Sequence, residues 1–346
     1  MLFLLLLPAA GCCADRAAGD PGIADVFDAA RILKDVAIRS ELEEAPGFPG
    51  GGRVCLKLEN KQHTGAFKLR GAYYRMSKLS GEQRKRGVVT CSAGNHAQGV
   101  GFAADRFGIK ATIFLPAKAP ATKIAAVRAY RNVRVELVDG SFGDAQKAAA
   151  DFQRRTNTVC IPPFDDRDII AGQGTVGWEI LNQLPETDII VVPVGGGGLI
   201  SGIAVAARAL KPSCRICGVQ AEGAPAMADS LKAGRIVTLD KVSTLADGTA
   251  VNRPGQITFD LCRRYVDGIV TVSEAEIEDA IRLLYRKYGV TAEGAGALSA
   301  AAVMSGKIPS EGKNVVCVIS GGNIDRDKLD GILAKEPQGR SRAPQP

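Results

Sequence analysis

The chain has 346 residues, enough for two domains or one large one, and 46% hydrophobic with 23% charged residues is the make-up of a globular protein with a sizeable core. Its net charge of +7 is modest, and without a basic stripe interleaved with aromatics or zinc-finger spacing, nucleic acid is excluded as a partner. Nine scattered cysteines fit a reducing compartment, and with only His63 and His96 in the chain a histidine-rich metal centre is excluded.

In chain order, residues 1–22 come first as an apolar extension. The run Met1-Leu-Phe-Leu-Leu-Leu-Leu7 resembles the middle of a secretory signal. It lacks the positive leader and falls short of the ~20 residues a membrane-spanning helix needs. A cytoplasmic protein is expected, with an exported or lipoprotein form as the alternative, and no other segment reads as a membrane span.

Next is Thr64-Gly-Ala-Phe-Lys-Leu-Arg-Gly-Ala72. The spacing of Leu69, Ala72, Tyr73, Met76 and Leu79 predicts a helix with one buried face, preceded by Thr64 and Gly65 as cap and turn. Lys68 then falls in the first turn, where unpaired N–H groups and the helix dipole repel a cation. Its stem could lie on apolar surface with the ammonium in water. Alternatively, burial and the helix end lower its pKa and leave a neutral amine as nucleophile or base.

From residue 87 onward, apolar runs alternate with helical patterns. Strands are expected at 88–91, 111–115, 133–138, 158–161, 188–194, 215–220, 268–272 and 315–319. Helices are expected near 96–107, 120–131, 143–155, 173–184 and 199–210. This alternation predicts an α/β fold with parallel sheet, and strands so apolar should be buried on both faces. The expected division is a large domain of 23–86 with 164–331, a small domain of 87–163, and a disordered tail over 332–346. The pair Cys214 and Cys217 sits in a strand pattern without a second pair, which favours a structural role.

Four strands run into unusual loops: Ser92-Ala-Gly-Asn-His96, Gly195-Gly-Gly-Gly198, Ala221-Glu-Gly223 and Ser320-Gly-Gly-Asn323. Ligands of open α/β sheets bind outside the carboxyl ends of strands, so these loops should meet in one cleft. The four glycines before a helix let backbone N–H groups approach an anion such as a phosphate. Neither a dinucleotide fingerprint nor a nucleotide P-loop fits, because Ile200 and Ser201 stand at the third-glycine places and Gly202 is followed by Ile203. A plain strand-to-helix turn is the other reading, although such turns seldom use four glycines. The amides of Ser92 to His96 could hold a substrate carboxylate, with Asn95 adding a side-chain hydrogen bond. His96 itself reads better as a core histidine, since no carboxylate partner lies near it in sequence. A phosphate loop, an isolated reactive lysine and a carboxylate pocket together point to pyridoxal 5'-phosphate and an amino-acid substrate.

The motifs named above, with Pro163-Phe-Asp-Asp166, Ile170-Ala-Gly-Gln-Gly-Thr175 and Ala246-Asp-Gly248, closely resemble those of the threonine dehydratases (threonine ammonia-lyases). These are fold-type II pyridoxal phosphate enzymes, related to serine racemase and serine dehydratase, and the likeness covers about 23–331. It implies two open parallel-sheet domains with helices on both faces, of the tryptophan synthase β type. It also implies that Lys68 bonds the cofactor aldehyde, Phe67 packs beside it, and Gly195, Gly196, Gly197 and Gly198 hold its phosphate. Asn95 would contact the ring hydroxyl and Ser320 the pyridine nitrogen. Ser92, Ala93, Gly94, Asn95 and His96 would receive the substrate carboxylate. A serine at the ring nitrogen suits β-elimination better than reactions that need a strong electron sink.

The implied activity is conversion of L-threonine, and L-serine, to a 2-oxo acid and ammonia by a homodimer or homotetramer. Biosynthetic relatives carry a further C-terminal regulatory domain that these residues lack, so a catabolic type is expected. Three departures stand out. Ala93 occupies the place of the racemase's second base, and a methyl group carries no proton. Glu222 matches one ligand of the racemase's metal site, but Ala228 replaces its acidic partner, leaving a weak divalent-cation site. The family's Thr-Pro is missing from Ala37-Ile-Arg-Ser-Glu41. A serine racemase or hydroxyaspartate dehydratase on the same scaffold, and a non-catalytic amino-acid-binding protein, are the competing readings.

Overall fold

The computed structural model describes residues 19–335, so the expectations for the apolar run, Cys12, Cys13 and most of the tail lie outside the described residues. The strands are β1 Leu42–Glu44, β2 Arg53–Leu58, β3 Val88–Cys91, β4 Ala111–Pro116, β5 Val133–Val138, β6 Val159–Cys160, β7 Ile189–Pro193, β8 Arg215–Ala221, β9 Gly268–Val272 and β10 Asn314–Ile319. The helices begin with α1 Ile23–Leu33, α2 Lys68–Ser77, α3 Gly81–Arg86, α4 Asn95–Phe107, α5 Ala121–Arg128, α6 Phe142–Thr156 and α7 Arg167–Gln183. They continue with α8 Gly198–Leu210, α9 Ala226–Ala233, α10 Gln256–Tyr265, α11 Glu274–Tyr288, α12 Gly294–Met304 and α13 Arg326–Ala334.

The strands form two sheets. One has the order β1-β2-β10-β7-β8-β9 and the other β5-β4-β3-β6. All pairings are parallel except β1 with β2. The strand β2, which the alternating pattern after residue 87 did not reach, lies beside β10 across most of the chain length. Burial on both faces holds for β7, every residue of which is buried, but not for β5 or β9. Those two close the edges of their sheets, where one side of the strand meets no neighbour.

As a division of the chain we propose the two sheets with their covering helices, bridged by α2. From α2, Ala72 and Met76 pack with Val88, Val100 and Ile113 of the four-stranded half, while Leu69 and Arg70 are also buried. Helix α7 starts at Arg167, six residues before the expected 173, because the Asp166 carboxylate accepts from the N–H groups of Asp168 and Ile169 and caps it there. Among the described residues, no helix is long and apolar enough to cross a membrane.

Beneath α2 lies a buried ionic cluster. Arg70 donates to Glu59 Oε2 at 2.8 Å and to Glu179 Oε1 at 2.6 Å, and Lys57 Nζ donates to Glu179 Oε2 at 2.7 Å and Ser40 O at 2.7 Å. Burial works against every one of these charges. Arg70 is nonetheless held above its ordinary pKa by the two carboxylates, and Glu59 below its own by Arg70 and Lys57. The departure at Ala37-Ile-Arg-Ser-Glu41 is packed onto this cluster through Ser40 and through Ile38 O, which accepts from Arg70 at 3.1 Å.

Candidate active site

The start of α2 is tied to the end of β10. Ala66 bridges to Gly321, Phe67 N–H donates to Ser320 O at 3.1 Å, and Gly322 N–H donates to Gly65 O at 2.9 Å. Gly65 has φ +69°, and a Cβ there would lie 2.3 Å from Asn323 Oδ1, so glycine is required twice over. The N-cap is Phe67 and not Thr64, whose hydroxyl donates to Ala66 O at 3.3 Å and so serves its own turn. Lys68 becomes the first helical residue, with its Nζ donating to Pro163 O at 2.7 Å and 5.3 Å from the Phe67 ring centroid. Burial lowers its pKa to about 8, with the Glu293 carboxylate opposing.

Lys68 opens into a cavity of about 980 Å³. Three of the four loops meet there: Ser92 to His96, Gly195 to Gly198, and Ser320 with Asn323. The fourth, Ala221-Glu-Gly223, does not line it. Its Glu222 N–H donates to Val272 O at 2.8 Å, prolonging the β8-β9 pairing, while Ser243 N–H donates to Gly223 O at 3.1 Å. The Glu222 carboxylate stands 3.6 Å from Lys307 Nζ at the surface, and among the described residues no group of three or more His, Cys, Asp or Glu is placed to hold a metal ion.

The glycine turn is bare backbone for a packing reason. Gly197 has φ +97°, and a Cβ on Gly196 would lie 2.4 Å from the Phe164 ring. Helix α8 begins at Gly198, so the first-turn amides, which have no acceptor within a helix, border the cavity. The turn is held from behind by Thr258 Oγ1, which donates to Gly196 O at 2.6 Å. Phe164 is held by its neighbour Asp165, whose carboxylate accepts from the N–H groups of Gln256, Ile257 and Thr258.

On the opposite wall, Ser92 Oγ accepts from Gly94 N–H at 3.2 Å, shaping the loop that leads into α4. Ala93 lines the cavity beside it. Asn95, first residue of α4, donates from Nδ2 to Glu293 Oε1 at 2.6 Å and accepts at Oδ1 from Asn323 at 2.8 Å. His96 Nε2 is 2.9 Å from Ile161 O, and burial, with Lys68 nearby, depresses its pKa to about 3, so the ring is neutral. Ser320 is buried, its Oγ 3.5 Å from Ala295 O.

Among the cavity residues that escaped the sequence reading are Glu293 and Lys123. Glu293 is buried, and burial together with Asp247 raises its pKa to about 7. The signal was its isolation, one carboxylate in Val290-Thr-Ala-Glu-Gly-Ala-Gly-Ala297. Lys123 forms a 2.6 Å ion pair with Asp247 across the cavity. A buried amine of lowered pKa, an amide-lined helix start and an aromatic ring can together accommodate a phosphorylated aldehyde.

The model of the pyridoxal-phosphate dependent enzyme family matches residues 34–321. The chain belongs to that family. Among its relatives, this pyridoxal-phosphate dependent enzyme is 49% identical to an L-threonine ammonia-lyase of Thermotoga maritima over 313 residues, 90% of this chain and 78% of that one. It is 44% identical to the catabolic L-threonine dehydratase TdcB of Escherichia coli, over 81% of this chain and 86% of that one. The processed form of threonine deaminase isoform 2 from Solanum lycopersicum superposes with a TM-score of 0.85 at 39% identity, covering 95% of this chain and 94% of that one. Maize serine racemase gives 0.86 at 36%, covering 90% and 96%. The cavity residues fit the family's cofactor, since its phosphate needs bare amides and its aldehyde an amine that loses its proton more readily than an ordinary lysine, as Lys68 does.

Proposed function

We propose that this enzyme removes ammonia from L-threonine, and from L-serine, leaving a 2-oxo acid. Relatives bearing threonine ammonia-lyase and dehydratase names at 44% and 49% identity support the reaction. The single observation that carries the site is Lys68, buried with a lowered pKa in the cavity that the glycine turn also lines.

Pyridoxal phosphate, when bound, supplies an aldehyde that condenses with amines and a ring that draws electrons from the substrate Cα. Lys68 would hold it through Nζ, and once the substrate amine takes that place the freed lysine amine would take the Cα proton. The carbonyl of Pro163 aims Nζ. The amides at Gly195 to Gly198 and the start of α8 would anchor the phosphate, with Phe67 against the ring and Ser320 at its nitrogen. The loop from Ser92 to His96, at the start of α4, would orient the substrate carboxylate by its N–H groups. Neutral His96 adds no charge there. The β-hydroxyl of threonine would leave as water with one proton, balancing the one taken from Cα, and water would then hydrolyse the freed imine to 2-oxobutanoate and ammonia. Ala93 cannot exchange a proton, which speaks against two-base racemisation at that position.

Purified enzyme with threonine should release 2-oxobutanoate, and Lys68→Ala should abolish both release and the visible absorbance of bound cofactor. Turnover by Lys68→Ala at the wild-type rate would overturn the assignment. By family likeness we expect a homodimer or homotetramer, which sedimentation velocity reads directly.

A further inference from the structure

Glu293 occupies the N-cap position of α12, yet its side chain makes no capping hydrogen bond. The carboxylate is turned instead into the cavity, 6% exposed, where it accepts from Asn95 Nδ2 at 2.6 Å. The backbone around it is cleared for that purpose. A Cβ on Gly321 would lie 2.6 Å from Oε1, and one on Gly248 3.3 Å from it.

Asn95 is gripped at both ends of its amide. Oδ1 accepts from Asn323 Nδ2 at 2.8 Å, and Asn323 Nδ2 also donates to Thr64 O at 2.8 Å. A carboxylate accepts and a donor amide gives, so this arrangement admits one amide orientation. The Nδ2 group carries two hydrogens and Glu293 takes one, which leaves the second for the cavity. Asn95 follows β3 of the four-stranded sheet, whereas Glu293 and Asn323 come from the six-stranded half.

We propose that Glu293 is a positioning residue that locks the Asn95 amide with one Nδ2–H turned toward the bound cofactor. This rests on the reading that Asn95 contacts the cofactor ring. Loss of the carboxylate leaves the amide held at its Oδ1 end alone, by Asn323, so the direction of Nδ2–H toward an acceptor on the ring is no longer fixed.

The test is pyridoxal phosphate affinity, measured by titrating apoenzyme of the wild type, Glu293→Ala, Glu293→Gln, Asn95→Ala and the double alanine variant. Glu293→Ala should weaken binding about 10-fold, the size expected for a lost buried charged hydrogen bond. Glu293→Gln, whose carbonyl still accepts from Asn95, should stay within about 2-fold of wild type. The double variant should bind no worse than Asn95→Ala alone, as two residues acting in series require. Unchanged affinity in Glu293→Ala, equal losses in the alanine and glutamine variants, or additive losses in the double variant would each overturn the proposal. Unchanged affinity in Asn95→Ala would instead sink the reading of Asn95 on which it rests. If Glu293→Ala does not fold, the glutamine variant decides, since a loss well beyond 2-fold contradicts the acceptor role.

Discussion

At the scale of single residues, Lys68 and His96 show how one enclosure pushes two bases to opposite usefulness. Burial and Lys68 itself carry His96 so low that it stays neutral at any physiological pH, whereas Lys68 comes down only to about 8, with the Glu293 charge opposing the descent. Only the neutral amine attacks an aldehyde. The rate of pyridoxal phosphate capture by apoenzyme, followed by stopped-flow absorbance, should therefore rise as pH increases toward about 8 and flatten above it. A rate that keeps climbing beyond pH 10 would mean an unperturbed lysine. The short motif around Lys68 displayed its awkward place in the first turn. What the motif could not display was Pro163, 95 residues away, which supplies the carbonyl that aims it.

At the scale of elements, α2 is more than the amphipathic helix that its periodicity suggests. Of the residues whose spacing marks one buried face, Leu69, Ala72, Met76 and Leu79 are buried and Tyr73 only partly so, while Arg70 and Tyr74, off that spacing, are buried as well. Arg70 reaches Glu59 and Glu179, which are 11 and 109 residues away, and no local rhythm announces such partners. Arg70→Ala would leave buried Glu59 without its ion-pair partner and Glu179 with Lys57 alone, and the expected loss is ~3–5 kcal/mol of folding free energy. Urea unfolding monitored by circular dichroism measures it, and a loss below ~1 kcal/mol would show that the cluster does not hold α2. The start of α7 differs from its expected place because the Asp166 carboxylate caps it, whereas α2 begins after Phe67 without any side-chain cap.

On the scale of the whole molecule, the cavity is walled by both sheets, and one visible tie between its walls is the pair of Lys123 and Asp247. Both side chains are about one-third to one-half exposed, at 34% and 47%. Exposed pairs contribute ~0–1 kcal/mol and are screened by salt. Lys123→Ala should accordingly change stability by less than ~1 kcal/mol while making the KM for threonine less sensitive to ionic strength. A destabilisation as large as that expected for Arg70→Ala, read in the same urea experiment, would contradict this ranking.

Some features of this protein are decided by local chemistry, and the sequence alone determined them. Uniformly apolar strand runs alternating with helices force a parallel α/β arrangement, since such runs cannot face water. Four successive glycines ahead of a helix similarly announce bare amides. The tertiary structure decided whatever depends on distant segments meeting. It brought β2 beside β10, sent the Ala221-Glu-Gly223 loop away from the cavity, and turned Glu293 from its cap position toward Asn95. Side-chain identity and spacing describe what a segment can do with its own neighbours, whereas partners 198 residues apart are chosen by packing.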